Sequence, residues 1–320
     1  TNQVDESYPL EVTVPSAIYG KLAMNYDFNN SVFHANLDVY VNTPGGVIKG
    51  IGPNGRAGWA VLHIAPDDWY LHIGTPSDMI GLRVGFGNFY LQSGSYFMVG
   101  NHIPGSPPPP VEVAQILGLQ LNDIDYMKDL NALGDGKGFA FGTHIKFDTG
   151  DMTALFLYAR FQAGLGTDIM LKNYGNAHCE GSTEPIGING WYANGQAYAY
   201  MQGELGIQVK LMFIKKRIPI VSAGAALLMQ AKLPNPTWFS GQMGGYFNVL
   251  GGLVKGKYSF KVTLGNDCKI IAGSDNPLDD LKIISDFTPT DQSADVDVFT
   301  TPQAVFNMPV NKSFTLESGS

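Results

Sequence analysis

The amino-acid sequence predicts a mainly β protein, in which antiparallel meander sheets form a sandwich or a barrel-like body with a short helical insertion. Long segments alternate between apolar and polar residues, which is the two-residue period of a strand. Short polar or glycine-rich stretches separate these segments and are typical of turns. The chain of 320 residues contains 39 glycines, and charged residues make up only 15% of it. This composition favours closely packed sheets with aromatic faces over a helical enzyme.

The first predicted strands lie between residues 18 and 41. Ile18–Tyr26 alternates, and two asparagines after it mark a turn. In Phe33–Val41 every second residue is apolar, and the residues between them, such as His34, are mostly polar. This pattern predicts a strand with one buried and one solvated face.

The segment Trp59–Ile73 is the clearest hairpin in the sequence. A turn centred on Asp67 and Asp68 places His63 directly opposite His72. Because directly paired side chains on a sheet lie about 4.5–5.5 Å apart, these two imidazoles could share a metal ion. The alternative is a polar cross-strand pair without a metal, since no third or fourth ligand is visible nearby.

The meander is predicted to continue to Val99, where a proline-rich stretch interrupts it. Four consecutive prolines, Pro107–Pro110, favour a polyproline II segment. Apolar residues at helical spacing then predict helices over Val111–Leu119 and Asp123–Leu133. We therefore assign residues 104–133 to a proline-rich and helical insertion within the β domain.

A second hairpin is predicted over Phe139–Phe147 and Met152–Leu165, joined by a three-residue loop. Asp148 and Asp151 lie at the two sides of this loop. They could flank a calcium ion, although aspartates in turns more often accept bonds from their own backbone.

Residues Tyr174–Asn194 are irregular and polar, which predicts a long loop that makes contacts. Within it, Trp191 and Tyr192 could form a platform for a sugar or a protein partner, or could cover a sheet edge. Cys179 in this loop and Cys268 are the two cysteines of the chain. An even cysteine count in a β-rich chain predicts one disulfide and an oxidising compartment, with two separate buried thiols as the alternative.

The longest alternating segments follow this loop. Ala197–Phe213 and Ile218–Leu233 alternate across a basic tip, which predicts an antiparallel hairpin. A helix competes over Ala223–Ala231, because alanine, leucine and methionine are good helix formers. The alternation and the flanking prolines favour a strand. A final hairpin is predicted over Tyr246–Val249 and Tyr258–Leu264.

The C-terminal residues 273–320 are predicted to lie outside the large β domain. Residues 1–272 are assigned to one large antiparallel β domain, and residues 273–282 to a polar linker. The tail contains the segments Pro289-Thr290-Asp291, Ala294-Asp295-Val296 and Val305-Phe306-Asn307-Met308-Pro309-Val310. Through these segments it resembles the opening of a bacterial immunoglobulin-like domain of cell-surface proteins, although Gln292 stands where glycine is usual. The resemblance implies that residues 283–320 are a partial Ig-like β-sandwich, because a complete one needs about 100 residues. The chain would then belong to a longer surface protein.

The charge and hydropathy of the chain limit the kinds of partner that it can bind. The formal net charge is −8, and basic residues cluster only at Lys215–Arg217, which argues against nucleic acid because phosphates need many cationic contacts. No apolar run approaches the ~20 residues of a membrane-spanning helix. The opening residues do not resemble a signal peptide. We therefore expect that a leader was removed or that the chain begins inside a longer protein.

Two non-enzymatic functions are considered first. The favoured one is an extracellular or cell-surface structural or assembly protein, a β-rich building block of a surface adhesin, filament or secreted assembly. The alternative is an outer-membrane β-barrel carrying surface Ig-like domains, because several segments reach the ~9–11 residues of a membrane strand. The expected candidates for its lumen are His63, His72, His144, Lys146 and Arg160.

A secreted carbohydrate-active protein is the second alternative. A hydrolase would need two carboxylates facing each other across a cleft. Asp67, Asp68, Asp148, Asp151 and Glu204 are available, but nothing in the sequence pairs them, and no catalytic motif accompanies them. We therefore assign no catalytic residue and no cofactor. The expected partners are other copies of the chain or other surface proteins, with a glycan as an alternative and a membrane only through a β-barrel.

Overall fold

Most of the described chain is one antiparallel meander. This computed structural model describes residues 10–13, 17–103, 105, 107–120, 124, 136–211, 214–271, 284–288 and 303–306. Within these residues the predicted mainly β fold, with antiparallel meander sheets and a short helix, is confirmed. The strands are β1 (Leu10–Thr13), β2 (Ile18–Asp27), β3 (Val32–Val41), β4 (Ile48–Gly50), β5 (Arg56–Ile64), β6 (Trp69–Ile73), β7 (Ile80–Phe86), β8 (Phe89–Ile103), β9 (Gly136–Asp148), β10 (Met152–Ala154), β11 (Leu157–Asn173), β12 (His178–Cys179), β13 (Trp191–Leu211), β14 (Ile214–Leu233), β15 (Trp238–Val249), β16 (Val254–Gly265), β17 (Ile270–Ile271), β18 (Ile284–Thr288) and β19 (Gln303–Phe306). The helix α1 spans Val111–Leu117, and short 3-10 turns span Pro44–Gly46, Pro53–Gly55 and Leu250–Gly252.

Fifteen of these strands form a single sheet. The main path through it runs β1-β2-β3-β5-β6-β8-β9-β11-β13-β14-β15-β16, and β4, β7 and β10 pair beside this path. Every pair in the sheet is antiparallel. The turns seen in the sequence explain this order, because a tight turn can only return the chain as an antiparallel neighbour.

The hairpin of β5 and β6 has a different register from the predicted one. His63 lies opposite Tyr70, and His72 lies opposite Val61. The predicted pairing of His63 with His72 was therefore wrong. The physical reason is Pro66, which has no N–H group to donate to a ladder, so pairing stops before it and residues 65–68 form the loop.

The predicted hairpin around Thr149 also has a longer connection. Asp148, the last residue of β9, lies opposite Gln162 rather than next to a three-residue loop. The chain between them includes β10, which folds back on the start of β11 so that Met152 pairs with Ala159. The predicted loop length was wrong.

The predicted helix over Val111–Leu119 is confirmed as α1, which follows the prolines directly. It ends at Gly118, whose φ of 71° is the left-handed conformation that glycine adopts most easily at a helix end. Of the second predicted helix, Asp123–Leu133, the structure describes Ile124, which is helical. The remainder of that prediction lies outside the described residues.

The large sheet has a polar face and an apolar face. On β13, Tyr198 and Tyr200 are 7% and 6% exposed, whereas Met201 and Leu205 on the opposite face are 55% and 45% exposed. We call the face that carries Tyr198 and Tyr200 the inner face, and the face that carries Met201 and Leu205 the outer face. Because directly paired residues share a face, the strand registers carry this division across the sheet.

The main hydrophobic core lies where α1 packs on the inner face. Its apolar residues contact strands β13 and β14 rather than a second sheet. The buried members are Val113, Ala114, Ile116, Leu117, Ile124, Tyr198, Tyr200, Ala226 and Leu228. The outer face has no such cover in the described residues.

Inner-face tyrosines lie over glycines of the neighbouring strand. Tyr200 is paired with Gly164, and a Cβ atom at this glycine would lie only 2.5 Å from the tyrosine ring. Tyr198 pairs in the same way with Gly166. The glycines therefore make room for rings that lie flat on the sheet, a known way of covering a strand glycine with an aromatic side chain. This arrangement explains why the chain is rich in both residue types.

The predicted linker, residues 273–282, lies outside the described residues. Of the predicted partial Ig-like domain, residues 283–320, strands β18 and β19 are described, and they pair antiparallel. The resemblance to an Ig-like domain stays a prediction.

Replacing Gly164 with alanine should destabilise the protein by about 1–3 kcal/mol, the usual cost of overpacking a well-packed site. The added Cβ would press on Tyr200, which cannot move away because it packs against α1. Gly203→Ala is the matched control, since its Cβ would make only ordinary contacts of 3.5 Å. Thermal unfolding of both variants measures the difference. Equal stability of the two would contradict the packing argument.

Candidate functional site: the polar inner face

The inner face contains charged and amide side chains that are almost completely buried. Buried polar groups are costly unless hydrogen bonds satisfy them, so their partners show how this face is organised. The buried polar residues of the large sheet are Asp148, Asp168, Lys172, Asn194, Gln196, Gln208, Gln230, Lys232, Ser240 and Gln242. Candidate binding groups therefore lie on this face.

Asp168 is the centre of a buried hydrogen-bond network. Its side chain is fully buried, and Oδ1 accepts bonds from the Tyr96 hydroxyl at 2.8 Å and from His144 Nε2 at 2.9 Å. Gln196 Nε2 donates to Oδ2 at 2.9 Å and also lies 2.9 Å from the Pro107 carbonyl oxygen. The network therefore joins four strands to the proline-rich segment.

We call residues 107–120 together with Ile124 the internal segment, because they lie on the inner face. Glu112 in α1 forms an ion pair of 2.7 Å with Lys146 of β9. Burial raises the pKa of the Glu112 carboxyl, but the hydrogen bond and charge of Lys146 lower it by more, so this pKa lies below its ordinary value. Gln230 donates a bond of 2.7 Å to the Ile124 carbonyl oxygen. The internal segment is thus attached to the sheet at several points.

A second network surrounds Asp148 at the other end of the inner face. Arg160 donates to both oxygens of Asp148, at 3.2 and 2.8 Å, and Gln162 donates at 2.7 Å. Two parallel bonds from one guanidinium are the strongest form of such a pair. Asp151, the other predicted calcium ligand, accepts a bond of 2.5 Å from Arg217. The two aspartates therefore bind separate arginines.

These arginines border a cavity of about 220 Å³ on the inner face. We call it the arginine pocket. It is lined mainly by polar side chains, including Asp151, Arg160, Gln202, Glu204, Arg217 and Tyr246. The sequence offered Asp151 and Glu204 as separate carboxylates, and the structure brings both to one pocket. Strand alternation alone could not show this, because Asp151 lies in the connection before β10 and is held at the pocket by its ion pair with Arg217 of β14, the strand next to that of Glu204.

Four of the six histidines lie on neighbouring strands of the sheet. They are His34 on β3, His63 on β5, His72 on β6 and His102 on β8. His34 and His63 are directly paired, and their Nδ1 atoms lie 3.4 Å apart. Tyr70 stacks against His63, with ring centroids 5.1 Å apart, and contacts His72 at a tilt, with ring centroids 4.7 Å apart. His72 is therefore separated from His63 by an aromatic ring, and His34 is the neighbour that sequence reasoning missed.

The loop residue Asp68 borders the same histidine cluster. Asn101 donates to it at 2.7 Å, and His102 Nε2 lies 3.1 Å from its carboxylate. Burial raises the pKa of Asp68, but its hydrogen bonds with Asn101 and His102 lower it by more, so this pKa lies below its ordinary value. Across the described residues, no three His, Cys, Asp or Glu side chains are arranged to hold a metal ion.

The predicted disulfide is supported, since the sulfur atoms of Cys179 and Cys268 lie 2.10 Å apart. The predicted contact platform is wrong for Tyr192, which is fully buried and donates a bond of 2.7 Å to the Pro236 carbonyl oxygen. Trp191 is 38% exposed and lies on the other face of the same strand. The irregular segment ends at residue 190, because β13 begins at Trp191.

Comparisons with known proteins do not indicate a function for this chain, so the geometry of the inner face is the main guide to its function. No protein-family model matches the chain, and no match was found among curated proteins or solved structures. In the part of the chain that the structure describes, no helix is long and apolar enough to cross a membrane.

Replacing Asp168 with alanine should destabilise the protein by about 3 kcal/mol, because the buried Tyr96 and Gln196 and the half-buried His144 would lose their acceptor. Asp67→Ala is the control, since Asp67 is exposed in a loop and should change stability by less than about 0.5 kcal/mol. Denaturant unfolding of the two variants tests this. A loss below about 1 kcal/mol in Asp168→Ala would show that the network is not structurally important.

The Glu112–Lys146 pair should make the attachment of the internal segment sensitive to acid. Because the pKa of folded Glu112 lies below its ordinary value, its contribution to stability is present at neutral pH and is lost as pH falls through this lowered pKa. Glu112→Gln and Lys146→Met should each remove the same part of the pH dependence of unfolding, and the double variant should remove no more. An unchanged pH dependence in Glu112→Gln would contradict this assignment.

Proposed function

We propose that the chain is a membrane-embedded β-barrel protein whose outer face contacts lipid and whose inner face surrounds the internal segment. The observation that carries this proposal is the inverted distribution of polarity. Asp168 and Gln230 are buried on the inner face, whereas Leu165, Met229 and Phe260 are exposed on the outer face. A water-soluble sheet protein has the opposite arrangement.

The exposed apolar residues of the outer face form a continuous surface. Leu227 pairs with Met243, and Met243 pairs with Phe260, so three strands present apolar side chains side by side. These residues are 38%, 48% and 60% exposed. The outer-face positions of β13 from Trp191 to Val209 include no charged residue. Contiguous apolar surfaces of this kind are rare on monomeric soluble proteins.

Aromatic residues of the outer face lie mainly towards the strand ends. Membrane barrels carry aromatic girdles at the two lipid–water interfaces and aliphatic residues between them. At the end of the sheet where β6 and β13 begin, the exposed aromatic residues include Tyr26, Trp69 and Trp191; at the opposite end they include Phe86, Phe89 and Phe247. Phe97 and Phe260 are exposed nearer the middle of their strands. This placement supports the lipid-facing role of the outer face.

Strand number and length also fit the proposal. The main path contains twelve strands, and this even number makes its edge strands β1 and β16 antiparallel. The described residues show no ladder between them. In lipid a free sheet edge is not tolerated, so we infer that the edges are paired in the membrane. β11, β13 and β14 have 17, 21 and 20 residues, more than the ~9–11 that a membrane strand needs.

The membrane proposal replaces the water-soluble building block as the favoured function. A soluble building block would have to cover the whole outer face with partners, whereas lipid covers it without any. We therefore propose a non-enzymatic barrel that holds the internal segment in its lumen. In this proposal residues 283–320 begin a surface Ig-like domain that the barrel anchors, as the sequence resemblance implies.

Fractionation of the full chain, with and without detergent, tests the membrane proposal directly. We expect the native protein in the membrane fraction, with release by detergent only. Recovery as a monodisperse species in detergent-free buffer would refute the proposal.

A lysine on the outer face gives a sharper test. Leu227→Lys should reduce stable membrane insertion by about 2–4 kcal/mol, the cost of a lysine near the bilayer centre. Phe28→Lys is the control, because Phe28 is 80% exposed in the turn after β2 and should insert normally. Insertion into vesicles, measured by protease protection, compares the two. Normal insertion of Leu227→Lys, or its improved solubility in water, would contradict lipid contact at this position.

A further inference from the structure

We propose that the arginine pocket binds a neutral saccharide unit. The inference concerns the inner face only, and it holds whether the outer face contacts lipid or another protein. Four observations support it: the wall of the pocket, its paired arginines, its unused hydrogen-bonding groups and its size.

The wall is built from adjacent strands that bring planar polar groups together. Gln162 of β11 lies opposite Gln202 of β13, which in turn lies opposite Gly224 of β14. Gly224 lies opposite Tyr246, and a Cβ atom at this glycine would be 2.7 Å from the tyrosine ring. The missing side chain therefore lets the Tyr246 ring lie against the wall beside the two amides. An aromatic face next to amide groups suits a sugar ring, which has apolar C–H faces and polar edges.

Both arginines of the pocket already have carboxylate partners. Arg160 is paired with Asp148, and Arg217 is paired with Asp151. Glu204 accepts a bond of 2.5 Å from the Tyr158 hydroxyl. An anionic ligand would have to displace a carboxylate from its arginine and leave that carboxylate unpaired, which is costly in a partly buried site. The paired arginines therefore disfavour an anion as the ligand.

Groups that remain available can both donate and accept. Among the described residues, the Tyr246 hydroxyl makes no hydrogen bond, and Gln202 uses its amide nitrogen to bond Gln162 at 2.9 Å, which leaves its carbonyl oxygen for a ligand. Vicinal hydroxyl groups each donate and accept, so they match a hydroxyl next to an amide oxygen. A purely apolar ligand would leave these groups unsatisfied.

The size of the pocket limits the ligand. Its volume of about 220 Å³ is below the ~300–1,000 Å³ of sites for drug-sized ligands. A single sugar ring, free or at the end of a longer glycan, is therefore the appropriate size. A site that contributes few bonds and one aromatic ring should bind weakly, with a Kd on the order of millimolar.

The test uses the full chain, folded in detergent if it requires one, and a panel of glucose, galactose, mannose and N-acetylglucosamine. Saturation-transfer NMR and calorimetry should detect binding of at least one of these sugars. Gln202→Ala and Tyr246→Phe should each weaken it by about tenfold or less, as expected for one lost hydrogen bond. Asn25→Ala is the control, because Asn25 lies on the inner face near the end of the sheet where β13 begins, whereas the pocket lies towards the opposite end, and this variant should bind as the wild type.

Each outcome decides the proposal. Tyr246→Phe removes only one oxygen atom, so a variant with wild-type thermal stability that binds less tightly assigns the site. No binding of any panel sugar to folded wild type overturns the proposal, as does equal binding by wild type and both variants. Binding of glycine or phosphate in place of the sugars would show that the pocket takes charged ligands instead. None of these results depends on the fractionation experiment, so failure here and failure of the membrane proposal are distinguishable.

Discussion

Successive side chains of a strand point to opposite faces, and this constraint organises the whole molecule. In most globular sheets the constraint sends apolar residues to a core between two layers. Here the same alternation sends polar residues and tyrosines to the buried face, and aliphatic residues, phenylalanines and tryptophans to the exposed face. Strands such as β13 keep one register over their full length apart from a single irregularity. Once one residue is assigned to the inner or the outer face, the faces of the other residues in the sheet follow.

The buried aspartates of the inner face depend on their hydrogen-bond partners. Asp168 would be expensive without the donors around it, and one N–H of Gln196 would lose its acceptor if the Pro107 carbonyl oxygen were absent. The Asn194 side chain and Gln196 Oε1 have no partner among the described residues. The internal segment is therefore part of the stability of the sheet as well as its occupant. α1 adds apolar contacts where tyrosines lie flat on the strands, so that polar attachment and hydrophobic packing act on the same short stretch of chain.

Tyr246 connects the core to the arginine pocket. It packs beside the cluster that contains α1 and also lines the pocket. A ligand that orders this ring would therefore act on residues next to the internal segment. The outer face has no comparable connection, because its aliphatic side chains contact neither network. The two proposals thus concern opposite faces of one sheet, with lipid on the apolar face and a polar ligand on the other.

The sequence by itself determined most of the strands, the residues that share a face of each strand, and the helix after the prolines. The expectation that the polar face of a strand is the solvated one was wrong, because in the structure the polar face is the buried one. Period-two alternation is a local property, and so is the helical spacing of Val111–Leu117, so neither needed tertiary information. It also indicated the disulfide, because two cysteines in a β-rich chain have few other roles.

Only the tertiary structure decided which residues meet. The position of Pro66 moved His63 away from His72, and the pairing of β3 with β5 brought His34 beside it. The arginine pocket likewise depends on how β11, β13, β14 and β15 are aligned. These contacts join residues far apart in the chain, and the register and turn geometry that create them are set by loop residues and long-range packing, which alternation within a single strand does not encode.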